Sequence, residues 1–455
     1  PSVSYGRFDQ NMYPFYKKGI EDGTLTPELA MEFIEELYIK TTSNPWFQST
    51  GLAYYFGGYY RYPHVDVGGI DINRRDASNE LSYLCLRAMR YVKTTAPSVS
   101  LLLHQKTPDD LLLEAVKLAA EGMGHPSFFN VESMIGMLEN RTGGLYGKSP
   151  YTIEQILEWG SPIGCVEPGV MGYQYGHTDS CIINVGYAPT LVLTHGVKPE
   201  GVDGYGAGKL LSFDGGDLSQ YKTYEDYFKA VKDQIEWAIK AAHKNAIIAE
   251  KILAEQFQLP TYTLLTRGAV EKGIDAAAGG ALCNVGPTIQ VVGFGTLADS
   301  VAAVKKVIYE DKAYTIEDLK AAIDANFEGY EDLRAKLLAA PKYGNDNDYV
   351  DNDAAELWTF FANTTRSLKN YRGSYCDPAV QMVQAHIGFG AMTGPTPNGR
   401  LAGQPLADTM SATQQADTHG PTFAARSYGK LNYPIYTNGT LLNMWISNSE
   451  LIARK

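Results

Sequence analysis

Long amphipathic helical segments alternate along this chain with short apolar segments, and this alternation limits the folds open to it. Helices are predicted where a capping residue precedes apolar residues at helical spacing, and strands where short apolar runs are bounded by glycine. The predicted helices begin at Pro27, span residues 107–122, begin near Thr223 and span residues 315–327. The predicted strands span residues 181–185, 190–196 and 288–295. This order favours an α/β architecture with parallel strands in one large domain.

The composition argues against several classes of partner. The 455 residues are 44% hydrophobic and 20% charged, which suits a chain with a sizeable buried core. A net charge of -12 argues against nucleic acid and anionic membranes, since both bind clustered Lys and Arg. The five cysteines are scattered and form no CxxC pair, and no signal peptide is recognisable. A reducing cytoplasmic location without disulfides or a zinc site is therefore predicted.

Three polar segments suggest sites, and each has a simpler structural interpretation. Glycine-rich residues 201–211 fail the phosphate-loop spacing, because Asp203 and Leu210 stand where Gly and Ser or Thr are required. Acidic residues 342–353 lack the glutamate that ends a calcium loop, so a capping turn is favoured over a metal site. His125, which precedes a proline in "GHPSFFN", is interpreted as a structural histidine.

The segment "GCVEPGVMGYQYGHTD", residues 164–179, concentrates proton-handling side chains on a predicted loop. Cys165 and Glu167 are two residues apart, so they share a face if the chain is extended. Gly164 before them and Pro168 after them predict a tight turn. The first interpretation of such a segment is a turn with a purely structural role.

Two chemistries are alternatives to that structural role. In the first, Cys165 is a thiolate nucleophile activated by His177 or His195. In the second, the Cys165 thiol loses a hydrogen atom and the sulfur becomes a radical, which requires a substrate C–H in contact and a dry pocket. Residue spacing alone leaves all three interpretations open.

Further segments, read together in chain order, resemble the glycyl radical enzymes. "GCVEP" resembles the active-site cysteine loop of that family. The other matching segments are "GRFDQNMYPFY" (6–16), "DASNELSYLCL" (76–86), "GHPSFFN" (124–130), "FEGYEDLRAKLLAAPKYGNDNDYVD" (327–351), "PNGRLAGQPLAD" (397–408), "GPT" (420–422) and "NGTLLN" (438–443). Because these segments span nearly the whole chain in the expected order, the chain is identified as a member of this pyruvate formate-lyase-like superfamily.

The resemblance implies a fold and a mode of activation. The expected fold is a ten-stranded α/β barrel of two antiparallel five-stranded parallel half-sheets, surrounded by helices. An activating enzyme that uses S-adenosylmethionine and an iron–sulfur cluster removes hydrogen from a glycine in such enzymes. The resulting glycyl radical oxidises the loop cysteine to a thiyl, which removes hydrogen from a small-molecule substrate. Members are usually cytoplasmic homodimers of anaerobes, and no directly bound cofactor is expected.

Carried over residue by residue, the resemblance assigns roles to the loop. Cys165 matches the thiyl cysteine, and Glu167 matches the general base or acid, whose enclosed carboxyl is expected to have a raised pKa. Asp179, 14 residues later (179 − 165), stands where dehydratases have a substrate-binding aspartate. His177 and His195 are further candidates for substrate binding, and no residue is assigned to a metal.

Departures from the family pattern narrow the expected activity. Gly164 stands where pyruvate formate-lyase has a second cysteine, which argues against acyl transfer to formate. The arylalkane-succinate synthases lack the glutamate that Glu167 matches, so this residue argues against that subtype. The lyase group remains, and elimination of water or amine from a small polar substrate is predicted. Gly169 stands where dehydratases more often have glutamine, which is a departure from the dehydratase pattern. The alternative within the family is an arylacetate decarboxylase, in which His195 would orient a carboxylate. A cysteine-nucleophile hydrolase or transferase is the alternative from another class.

The resemblance also implies how the chain relates to the complete family fold. Residues 1–455 are expected to be the central part of a single barrel domain. The family's radical glycine lies in a C-terminal motif of the form R-V-x-G-[FWY], which this sequence does not contain. The N-terminal part of the barrel and the loop that carries the radical glycine are therefore expected outside this chain.

Overall fold

Eleven short strands and sixteen α-helices make up the described part of the chain. The structure is a computed structural model that describes residues 4–43, 50, 63–141, 149–198 and 208–445. The strands are β1 Gly6–Arg7, β2 His64–Gly68, β3 Ser98–Leu103, β4 Ser127–Asn130, β5 Gly160–Ile163, β6 Glu167–Val170, β7 Gln174–Gly176, β8 Cys181–Asn184, β9 Cys283–Val285, β10 Thr288–Val292 and β11 Asp377–Ala379. The helices are α1 Phe8–Glu21, α2 Pro27–Thr42, α3 Glu80–Val92, α4 Asp109–Ala119, α5 Val131–Asn140, α6 Ile153–Trp159, α7 Ala188–Leu193, α8 Tyr224–Gln256, α9 Pro260–Leu264, α10 Ala269–Lys272, α11 Phe294–Val304, α12 Ile316–Asp324, α13 Glu331–Ala339, α14 Asp348–Arg366, α15 Ala385–Ala391 and α16 Pro421–Gly429.

Parallel strands form the two larger sheets. One sheet has the order β1-β2-β3-β4 and the other has the order β11-β10-β8, with every neighbouring pair parallel. β5 and β6 form an antiparallel hairpin, and β7 pairs with β9 in parallel. Helices connect the parallel strands, so the predicted α/β class is confirmed. Among the described residues the strands form four separate sheets, and these do not close into a barrel.

Each larger sheet has an apolar face under helices and a polar face opposite. Successive side chains of a strand point to opposite faces. In β2, Val65 and Val67 belong to a core cluster with residues of α2, α3 and α4, whereas His64 and Asp66 lie on the other face. In β10, Ile289 and Val291 join the largest core, between α8, α11 and α14. The polar faces are the ones that contact the hairpin and its neighbours.

Helix starts agree closely with the sequence prediction. The Thr26 hydroxyl accepts a hydrogen bond from the Leu29 amide, and Pro27 is the first residue of α2. Thr223 and Thr315 each form a capping box at the start of α8 and α12. Because these side chains bind amides that the first turn leaves unpaired, the start of each helix is encoded locally.

The predicted strand over residues 190–196 is wrong. β8 ends at Asn184, and the apolar segment after it forms a short 3-10 turn followed by α7. Pro189 lies in the first turn of α7, where its missing amide hydrogen costs nothing. α7 is buried on nearly all sides, and a short run that is apolar on every side does not distinguish a buried strand from a buried helix.

No helix in the described ranges is both long enough and apolar enough to cross a membrane.

Candidate active site

The cysteine lies at the tip of the β5–β6 hairpin. Residues 164–166 form the turn, and Ile163 pairs with Glu167 at its base. Gly164 has a φ of +60°, and a Cβ on this residue would lie 2.6 Å from Oε2 of Glu167. Glycine is therefore required both by the backbone conformation and by the carboxylate above it. The turn leaves Cys165 half-buried while Glu167 is buried at 4% exposure.

Glu167 is a buried carboxyl whose proton affinity is unusually high. Burial and the nearby negative charge of Asp179 raise the pKa of Glu167 to about 7. The amide of Val166 donates to Oε2 over 2.9 Å, and this bond together with His64 opposes the increase in pKa. A carboxyl with a pKa near neutrality can both accept and donate a proton, as general acid–base chemistry requires.

Asp179 is brought beside Glu167 by the connection between β7 and β8. The residue is exposed, yet protein surrounds its carboxyl on most sides, and this desolvation raises its pKa. Nε2 of Gln290, on the polar face of β10, donates to Oδ1 of Asp179. The structure thus brings three of the proposed residues near one another: Cys165 and Glu167 on the hairpin, and Asp179 close enough to act on Glu167 electrostatically.

Amide side chains that sequence reasoning missed hold the backbone before Asp179. The carbonyl of Thr178 accepts hydrogen bonds from Asn438 at 2.9 Å and from Gln381 at 3.3 Å. Asn438 lies in the "NGTLLN" segment, so the resemblance marked the segment without assigning the residue. Gln290 and Gln381 carry no comparable local signal, because they reach the site only through the packing of β10 and β11.

His177 and His195 each lie close to a carboxylate. Nδ1 of His177 lies 3.4 Å from Oε1 of Glu250, a buried residue of α8. His195 follows α7 with a φ of +56°, and its Nδ1 lies 3.1 Å from the exposed Asp214. Both histidines thus have carboxylate partners other than the residues of the turn.

A buried arginine anchors the far end of the hairpin. Arg141 follows α5 and is fully buried. Its guanidinium donates to the carbonyls of Pro168 and Thr437, each at 2.6 Å, and to Oδ1 of Asn438 at 3.0 Å. Asp377 of β11 lies 3.7 Å from Nε of Arg141. One side chain therefore fixes β6 against β11 and the segment around residue 438.

A cavity of about 620 Å³ adjoins the hairpin. Its wall includes Val166 and Pro168 of the hairpin, Met134 of α5 and residues 439–444. Gly439 approaches the hairpin so closely that a Cβ on it would lie 2.6 Å from the carbonyl oxygen of Val166. Cys165 and Glu167 are not among the residues that line this cavity.

The other candidate segments have the structural roles that the sequence favoured, where they are described. In residues 342–353, Asn347 caps α14 through the amide of Tyr349. Within the described ranges, no cluster of His, Cys, Asp and Glu has the arrangement of a metal site. His125 is buried, and this burial lowers its pKa. Residues 201–207 of the glycine-rich segment lie outside the described residues.

Comparison with known proteins identifies the family. The profile described as pyruvate formate lyase-like matches residues 1–390. The chain belongs to the pyruvate formate lyase-like family, the glycyl radical enzymes. The trans-4-hydroxy-L-proline dehydratase of Clostridioides difficile is 32% identical over 452 residues, which are 99% of this chain and 55% of that protein. The chain spans about half the length of the curated relatives that it matches.

Solved structures of glycyl radical enzymes have the same fold over this length. The glycerol-bound form of the B12-independent glycerol dehydratase from Clostridium butyricum has a TM-score of 0.89 and 33% identity, covering 96% of this chain and 53% of that chain. A glycyl radical enzyme from Archaeoglobus fulgidus has a TM-score of 0.90 and 28% identity, covering 99% and 56%. The α/β fold with parallel sheets and surrounding helices is therefore that of the glycyl radical enzymes.

Proposed function

We propose that this chain carries the thiyl-forming turn of a glycyl radical lyase that eliminates water or amine from a small polar substrate. The observation that carries the proposal is Glu167, a buried carboxyl with a pKa of about 7 on the same turn as Cys165. A sulfur that exchanges hydrogen atoms and a carboxyl that exchanges protons are the two groups that such an elimination needs.

The residues divide the reaction between them. A glycine-centred radical, once installed by an S-adenosylmethionine and iron–sulfur activating enzyme, takes the hydrogen atom of the Cys165 thiol. The Cys165 sulfur then takes a hydrogen atom from a substrate carbon that bears a hydroxyl group. Glu167 accepts the proton of that hydroxyl and passes it to the leaving hydroxide or amine, so that a carbonyl forms. The Cys165 thiol finally returns its hydrogen atom to the product radical, and the sequence is redox-neutral.

Asp179 is proposed to bind the substrate hydroxyl. Its carboxylate accepts a hydrogen bond from Gln290 on one side and retains lone pairs for a hydroxyl donor. Because Asp179 also raises the pKa of Glu167, the two carboxyls favour a state in which one of them holds a proton. The relatives named as dehydratases support this assignment over the alternatives.

Two alternatives are to be tested beside the proposal. A cysteine hydrolase requires His177 or His195 to activate Cys165, and Nδ1 of each histidine lies near a carboxylate, that of Glu250 or that of Asp214. The arylacetate decarboxylase also depends on His195. An indoleacetate decarboxylase from Tractidigestivibacter scatoligenes is 29% identical to the chain, so decarboxylation is the second outcome to assay.

The remaining features of the proposal follow from the family. The complete protein is proposed to be a cytoplasmic homodimer of an anaerobe, with residues 1–455 as the central part of one barrel domain. Cys165, Glu167, Asp179, His177 and His195 are the residues to substitute, and the last two are the ones that the geometry supports least.

The test is anaerobic activation of the full-length protein. With an activating enzyme, a glycine-centred doublet is expected in the electron paramagnetic resonance spectrum, with turnover of a vicinal diol or an amino alcohol. Cys165→Ala is expected to keep the doublet and lose turnover, because the glycine is activated separately. Cys181→Ala, at a half-buried cysteine of β8, is the matched control and is expected to keep both. A silent spectrum with an active activating enzyme, or turnover by Cys165→Ala, contradicts the proposal.

A further inference from the structure

A buried polar cluster lies beneath the cysteine turn, on the polar face of the first sheet. His64 and Asp66 of β2 and Ser100 of β3 are all fully buried. Their neighbours Val65, Val67 and Val99 point to the opposite face and pack under the helices. Burial of a polar side chain costs free energy unless the side chain is hydrogen-bonded, so the partners of these three residues matter.

His64 bridges this cluster to the residue before Cys165. Its Nε2 lies 2.6 Å from the carbonyl oxygen of Gly164, and its Nδ1 lies 2.7 Å from the Ser100 hydroxyl. A carbonyl oxygen only accepts hydrogen bonds, so Nε2 carries the hydrogen. The contact joins residues 100 apart in sequence and places a short hydrogen bond directly on the turn.

Asp66 lies beside the histidine and connects β2 to the base of the hairpin. Oδ1 of Asp66 lies 3.5 Å from Nδ1 of His64. Oδ2 of Asp66 accepts a hydrogen bond from the hydroxyl of Ser161 in β5. The network therefore runs from β3 through β2 to both the strand and the turn of the hairpin, and it is enclosed at every member.

The charges around His64 come from four elements. Asp66 lies on its own strand, and Glu167 lies on β6, where His64 lowers the Glu167 pKa. Burial raises the pKa of Asp66, and the charge of Arg7 in β1 opposes this increase. Burial and, to a smaller extent, the charge of His64 lower the pKa of His125, which precedes β4. Removal of His64 is thus expected to raise the Glu167 pKa further above about 7.

We propose that His64, oriented by Ser100, is a positioning residue that holds the Cys165 turn through the Gly164 carbonyl. The role deepens the proposed function, because the reach of Cys165 and Glu167 toward one substrate depends on where residue 164 is held. His64 acts on the turn and does not itself contact substrate.

Two substitutions that differ by one methylene separate this role from a general effect on folding. In His64→Gln the amide nitrogen occupies the place of Nε2 and can still donate to the Gly164 carbonyl. In His64→Asn the amide nitrogen falls at the place of Nδ1 and cannot reach that carbonyl. His104→Gln is the control, since His104 also pairs with an aspartate, Asp76, at 3.0 Å, away from the turn.

The first measurement needs no radical. The rate of Cys165 alkylation by iodoacetamide and the titration of the Glu167 carboxyl by ¹³C nuclear magnetic resonance are followed in each variant. His64→Asn is expected to change the alkylation rate and raise the Glu167 midpoint, whereas His64→Gln keeps the alkylation rate of the parent and His104→Gln keeps both. Equal alkylation rates in the Asn and Gln variants would overturn the proposal whatever reaction the enzyme catalyses.

The second measurement uses the activated full-length protein. His64→Asn is expected to lower kcat by about 100-fold with the glycine doublet retained, since a displacement of about 1 Å at a reacting group costs that much. His64→Gln is expected to recover most of that loss. Equal kcat values in the two variants would refute the positioning role while leaving the lyase assignment standing, and absence of the doublet in the parent would refute the lyase assignment alone.

Discussion

The buried carboxyl of Glu167 connects the stability of the fold with the catalytic role proposed for this residue. Its raised pKa means that the folded state favours the protonated form, because burial and Asp179 both disfavour the anion. The same property that permits proton transfer near neutrality therefore makes the ionised residue costly to bury. This cost is measurable without substrate.

Glu167→Gln is expected to remove a pH-dependent loss of stability. Between the pKa of an unfolded glutamate and about 7, the folded state binds more protons than the unfolded state, so stability falls as pH rises. The difference in unfolding free energy between variant and parent is expected to shift in favour of the variant by about 3 kcal/mol through this range and to stay constant above it. Urea unfolding from pH 4.5 to pH 8 measures the difference. A constant difference over this range would contradict the assigned pKa.

The site residues that the sequence proposes are close together in the chain. Cys165 lies in the hairpin turn, Glu167 begins β6 and Asp179 follows β7, and the resemblance named all three. His64 and Gln290 contact this segment from 100 and 111 residues away. Their roles arise from strand order and from which face of each strand is polar, and a single sequence carries no register between distant strands.

At the scale of elements, the hairpin and the segment around Gly439 are packed against each other without space for a side chain. Gly439 has a φ of +99°, and a Cβ there would lie 2.6 Å from the Val166 carbonyl. Gly373 has a similar φ of +89°, and a Cβ on it would meet nothing within 4 Å. Substitution of Gly373 therefore tests backbone strain alone, whereas substitution of Gly439 tests backbone strain and steric contact together.

Gly373→Ala is expected to cost about 1–2 kcal/mol in unfolding free energy from strain alone. Gly439→Ala is expected to cost about 1–3 kcal/mol more, because the new methyl group displaces the backbone of the cysteine turn. Denaturant unfolding of both variants gives the comparison. Equal losses of unfolding free energy in the two variants would show that the close contact between Gly439 and the Val166 carbonyl contributes little to stability.

Arg141→Ala is expected to destabilise the protein by about 3–5 kcal/mol, because it leaves Asp377 buried without its cation and three acceptors without their donor. Arg75, with its side chain 72% exposed, pairs with Asp71 at 2.7 Å and supplies the surface control. Arg75→Ala is expected to cost less than about 1 kcal/mol. Similar losses of unfolding free energy in both variants would show that the buried network contributes little.

Helix starts were predictable because capping is a local signal, as Thr223 and Thr315 illustrate. The segment after β8 was not, because its conformation is decided by what surrounds it. α7 packs against α8 and is enclosed by the largest core, so its apolar pattern lacks the polar face that marks an amphipathic helix.

At the scale of the whole molecule, three buried cysteines lie in three different regions, and the reactivity of each thiol can show when its region unfolds. Cys85 lies in the core under the first sheet, Cys283 lies in the core beside α5 and α6, and Cys376 immediately precedes β11. If these regions form one cooperative domain, all three thiols are expected to become reactive at the same urea concentration. Alkylation followed by mass spectrometry measures the three midpoints. Distinct midpoints would divide the chain into independent domains.

Three main-chain carbonyls between residues 164 and 179 accept hydrogen bonds from distant side chains: Gly164 from His64, Pro168 from Arg141, and Thr178 from Asn438 and Gln381. A carbonyl offers the same acceptor whatever side chain its residue carries. The path of this backbone is therefore encoded largely outside the segment, in residues far away along the chain.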